Sequence, residues 1–108
     1  KSQMNENLKK IANHFGHASQ LNKISEESKE LTEAADDYHQ ALVVEDDPIE
    51  LAYAREHLIE EMADTLIMIK QVAYLECAED ELAEAVEQKT QRTLKRIKEG
   101  FYGNDTNA

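Results

Sequence analysis

Between Gly16 and Gly100 the chain carries a single residue that interrupts a helix, Pro48. Proline removes a backbone donor and glycine loosens the backbone, so these residues mark where helices stop. So few stops exclude the closely spaced turns of a β-sandwich and favour a few long helices. Four are expected, over about 5–14, 18–44, 48–76 and 80–99. Gly16 follows the first and Gly100 closes the last, where a left-handed residue is needed. Asp46-Asp47-Pro48 separates the second from the third: Asp47 suits the cap and Pro48 the first helical position.

Apolar residues recur at helical spacing. On the second helix they are Leu21, Ile24, Leu31, Ala35, Tyr38 and Leu42. On the third they are Leu51, Ala54, Leu58, Met62, Thr65, Ile69 and Val72. Long helices joined by short turns pack as antiparallel neighbours, so the expected fold is all-α, an antiparallel four-helix bundle-type protomer. One helical domain over residues 1–100 is expected, with 101–108 a flexible C-terminal tail. A chain of 108 residues makes only a thin core. Self-association as a dimer or dimer of dimers is therefore expected to add burial.

The formal net charge of -11 repels nucleic-acid backbone and anionic membrane, so neither is an expected partner. Cys77 stands alone, which excludes an intrachain disulfide; it is expected to be a small buried apolar residue. No apolar run reaches membrane-spanning length and no signal-peptide pattern opens the chain, so a cytoplasmic setting is expected.

Chemistry enters through a weak internal repeat. Ile24-Ser25-Glu26-Glu27-Ser28-Lys29-Glu30 aligns without gaps with Leu58-Ile59-Glu60-Glu61-Met62-Ala63-Asp64. At about 100° per residue, Glu27 and Glu30 fall near -60° and -120° from Ile24. Glu61 and Asp64 fall at the same angles, about -60° and -120°, from Leu58. Four carboxylates thus flank two apolar stripes at matching phase. If those helices pack side by side the acids converge and repel, and a divalent cation removes that cost. An all-oxygen set suits Mg²⁺, with Mn²⁺ as a substitute. Glu26 and Glu60 lie behind the proposed ligands, as additional ligands or plain surface. Lys23, one turn before Glu27, either pairs with it or reaches a phosphate. On the fourth helix Lys89, Arg92 and Arg96 share one face, a phosphate-binding pattern. His57, Tyr53 and Tyr74 take no role from the sequence.

With these residues the chain resembles the MazG-like family of all-α nucleoside triphosphate pyrophosphohydrolases, in its compact single-domain subgroup. The resemblance rests on Glu26-Glu27-x-x-Glu30 and Glu61-x-x-Asp64, with His14-Phe15-Gly16, Gln20-Leu21-x-Lys23 and Lys89-x-x-Arg92-x-x-x-Arg96 beside them. It implies Mg²⁺ on Glu27, Glu30, Glu61 and Asp64, and the triphosphate on Lys89, Arg92 and Arg96. It implies cleavage of a (d)NTP between the α and β phosphates; Glu26 and Glu27 are the candidates to take a proton from the attacking water. Thirty residues separate Glu30 from Glu61, toward the long end for the family. Phosphoribosyl-ATP is a further substrate of the same reaction class. A non-catalytic acidic helical module, for interaction or nucleotide binding, stands as the alternative. A di-iron bundle is disfavoured because no Glu-x-x-His pair occurs.

Overall fold

The computed structural model describes residues 3–44 and 47–101 of the chain. Asp46 and the tail expected at 101–108, apart from Phe101, lie outside the described residues. Among the described residues the protein is all-α, with helices α1 (Gln3–Phe15), α2 (His17–Val44), α3 (Pro48–Leu75) and α4 (Glu79–Lys98). None is long and apolar enough to cross a membrane.

The expected stops operate as argued. Gly16 takes φ +91 and donates its N–H to the Ala12 carbonyl, ending α1 before α2 begins. At Gly100, φ +73, the Gly100 N–H meets the Ile97 carbonyl and the Phe101 N–H meets that of Arg96. This double closure is a Schellman motif. Asp47 Oδ1 accepts from the Ile49 N–H at 3.0 Å and the Glu50 N–H at 3.4 Å, and Pro48 follows it. Asp47→Ala leaves those donors to water and is expected to cost about 0.5–2 kcal/mol, read as a lower denaturation midpoint at unchanged slope.

Cys77 corrects an expectation. It is exposed rather than buried, and its φ of +55 lies in the left-handed region. Its N–H closes the last turn of α3 on the Tyr74 carbonyl. A glycine would take this position at less cost.

The chain divides into two compact units, one ending at Cys77 and the other starting at Ala78. In the first, α2 and α3 pack most extensively, and α1 lies on α3 and α2. The α2–α3 pair is antiparallel: Gln20 near the start of α2 donates to Gln71 near the end of α3, while Thr65 reaches back to Glu27. Two rows of buried and half-buried positions run along the pair, Gln20, Ile24, Glu27, Leu31, Ala34, Tyr38, Ala41 and Leu51, Ala54, Leu58, Glu61, Thr65, Met68, Val72, Leu75, with Asp64, Gln71, Ala73 and Tyr74 buried or half-buried beside the second. Steps of four and three alternate, the spacing of a coiled-coil seam.

These rows revise the expected stripes. Leu21, Ala35 and Leu42 of α2 are exposed, as are Met62 and Ile69 of α3. Glu27 and Glu61 sit within the seam, not on its margin. A repeat of 3.5 keeps a seam in phase along two packed helices, whereas the ideal 3.6 repeat drifts away from it.

Polar contacts tie α1 and the start of α2 to the end of α3. Asn13 Nδ2 donates to the Tyr74 hydroxyl at 2.9 Å, Lys9 lies over the Tyr74 ring, and His17 contacts the Glu76 carboxylate. Leu8 and Ala12 supply the buried face of α1. The second unit is built on α4, whose acidic first turn and basic last turn suit the helix dipole.

Candidate metal centre

The centre of the α2–α3 seam is a cluster of acids. Glu27 is 7% exposed and Glu61 9%, at positions where a seam normally holds leucine. One ligand atom each from Glu27, Glu61 and Asp64 lies within 4.8 Å of the others. Asp64 is half-buried, one turn beyond Glu61.

The two oxygens of each buried carboxylate differ. Glu27 Oε2 is 3.5 Å from Lys23 Nζ, and Glu61 Oε2 is 3.4 Å from His57 Nε2. Glu27 Oε1 and Glu61 Oε1 are buried without a hydrogen-bond partner. An unpartnered buried carboxylate oxygen is costly, and two beside a third acid compound the cost. The strain registers in Glu61, whose carboxyl is pushed above its ordinary 4.5. Burial is the largest cause, followed by the charges of Glu30 and Asp64; His57 opposes the shift and Glu27 adds to it.

The donors fit a hard divalent cation. All are carboxylate oxygens, and ligands across an Mg²⁺ ion at about 2.1 Å each stand about 4.2 Å apart. The observed spread is within 4.8 Å. Oxygens presented to the interior with no protein partner are what such an ion would use.

The structure gathers three of the four expected ligands. Glu30 is exposed and outside the three-acid group, although its charge acts on Glu61. Glu26 and Glu60 are exposed, and Glu26 lies 3.8 Å from Lys23, which pairs with both neighbouring acids. In the second unit Lys89 and Arg92 line one shallow groove with Ala85 and Gln88. Arg96 is half-buried with its guanidinium over the Phe101 ring, 5.1 Å from its centroid.

Two features escaped the sequence reading. The buried Gln20–Gln71 hydrogen bond, 2.7 Å, had no visible signal, because each glutamine alone reads as surface. His57 had one: the alignment of the two halves, extended one residue upstream, sets it opposite Lys23. His57 also borders a cavity of about 460 Å³ toward the α2–α3 turn, shared with Asp37, Ala41, Glu50, Tyr53 and Ala54.

No family model matches the chain. No curated protein and no solved structure matches it either.

Proposed function

We propose that the protein is an Mg²⁺-dependent nucleoside triphosphate pyrophosphohydrolase, cleaving a (d)NTP between the α and β phosphates to a (d)NMP and pyrophosphate. One observation carries the reading. Two buried carboxylates within a packed helical seam each keep one oxygen unpartnered and share a 4.8 Å cluster with a third acid. A purely structural seam is more stable with leucine there, so the acids point to a use. The resemblance to the MazG-like family supplies the reaction; the geometry supports its carboxylates without naming the substrate.

In this reading Glu27, Glu61 and Asp64 hold Mg²⁺ or Mn²⁺, and Glu30 joins from the exposed edge. The ion, when bound, would neutralise phosphate charge and acidify a bound water. Of the two acids proposed to take a proton, Glu27 is committed to the cluster. Glu26 remains, exposed and beside Lys23. Lys23, half exposed and paired with both acids, is proposed to reach a phosphate as well. The cavity beside His57 falls in the usual size range of small-molecule pockets, about 300–1,000 Å³, and is proposed to take the nucleoside.

Self-association belongs to the same proposal. Ile59, Met62, Leu66 and Ile69 form an exposed apolar row along α3 at steps of three and four. A second copy docked on this row is proposed to add the burial that the thin core lacks. The basic face of α4, Lys89, Arg92 and Arg96, is proposed to bind the triphosphate.

The test is pyrophosphate release from a panel of NTPs, dNTPs and phosphoribosyl-ATP, with Mg²⁺ or with EDTA. Release from at least one nucleotide that EDTA abolishes is expected. No release from any, together with no effect of Mg²⁺ on melting, would leave an acidic interaction module.

A further inference from the structure

We propose that His57 is the positioning residue of Glu61, as Lys23 is of Glu27, so that the carboxylate centre is built twice on one plan. This rests on the reading of the centre as a metal site.

The two halves match in placement. The offset that sets Glu27 on Glu61 and Glu30 on Asp64 also sets Lys23 on His57. Each nitrogen comes from the position four before its carboxylate, and the distances are nearly equal, 3.5 Å and 3.4 Å. Each approaches Oε2 and leaves Oε1 buried and unpartnered. The exposures match as well: the Lys23 and His57 side chains are 51% and 50% exposed, above carboxylates at 10% and 12%. The nitrogen-bearing side chains therefore stand between solvent and the buried acids.

The arrangement solves a problem that the acids create. Glu27, Glu61 and Asp64 repel one another, and an unheld glutamate would rotate its carboxylate away toward water. A nitrogen beside Oε2 favours the orientation that leaves Oε1 directed inward. Ligand carboxylates are commonly oriented by such an outer contact, and its loss weakens metal binding about 10–100-fold. Lysine and histidine differ in shape and in how they carry charge. Both can place an N–H at the same oxygen from one turn upstream, so the geometry is shared while the residue type is not.

Mn²⁺ binding by calorimetry, on the full chain without nucleotide, tests this. Relative to wild type, His57→Ala is expected to weaken Mn²⁺ about 10–100-fold. His57→Lys, which installs the residue of the other half, is expected to restore affinity to within a few-fold. Helical content by circular dichroism should stay unchanged in both. A merely structural histidine would show neither the loss nor the rescue by lysine. Wild-type affinity in His57→Ala, or loss without rescue in a folded His57→Lys, would overturn the proposal and leave the metal reading standing. Absence of Mn²⁺ binding to the wild-type chain would overturn both.

Discussion

Glu61→Gln is expected to abolish Mg²⁺-dependent pyrophosphate release, by at least about a hundredfold, and to raise the melting temperature of the metal-free protein. The two effects have one origin. Glu61 is a buried carboxylate with an unpartnered oxygen, pressed by the charges of Glu30, Asp64 and Glu27. Glutamine keeps the shape and removes the charge, so the repulsion that raises the Glu61 pKa disappears. A divalent ion loses a strong ligand in the same step, and outer contacts alone already govern about 10–100-fold of metal affinity. Steady-state turnover and thermal melting of the same preparation read both effects. Normal turnover in Glu61→Gln would sink the site assignment. Unaltered or lowered stability would sink the view that the acids are held at a cost.

The second large effect is on stability across pH. Because the Glu61 pKa is raised in the fold, the folded protein holds that proton more tightly than the unfolded chain. Metal-free stability should therefore fall as pH rises from about 4.5 through the raised folded value, then level off as far as Glu61 governs it. Mg²⁺ should reverse the trend, since it binds the charged form. At a hundredfold excess over its dissociation constant the ion adds about 2.7 kcal/mol. For a domain of this size that is a rise in melting temperature of about 10 °C or more. The gain should vanish toward pH 4, where protonation of Glu61 removes a ligand. Melting curves between pH 4 and 8, with Mg²⁺ and with EDTA, would show it. Coincident curves at every pH would exclude a metal centre.

Much of the helical layout was legible because single residues govern it: Gly16, Asp47, Pro48 and Gly100 each act through their own backbone geometry. The grouping of Glu27, Glu61 and Asp64 was legible for a different reason, the matching phase of two aligned segments. The phase of the seam was harder. On α3 the residues Met62, Leu66, Ile67, Met68 and Ile69 surround the helix, so apolar spacing alone does not say which row is inside. Met68 is buried and the other four are exposed. The seam also runs through Gln20, Glu27 and Glu61, and Gln71 is buried beside it, residues that any hydrophobic pattern assigns to the surface. His57 was missed because the aligned segments begin at Ile24 and Leu58, one residue short of the Lys23–His57 pair.

The Gln20–Gln71 bond has a consequence for how the two long helices find each other. A heptad seam of small and aliphatic residues is nearly self-similar, and sliding one helix by seven residues would still bury apolar groups. Here such a slide would bring Glu27 toward Met68 and carry the partner of Gln20 past the end of α3 at Leu75. Two amides would lose their bond and a carboxylate would face a thioether. The polar residues thus act as an index mark, readable in one alignment only, and that alignment is the one that assembles the acids. Exchanging Gln20 and Gln71 for leucine would give a greasier zipper with several comparable settings, most of them without a centre.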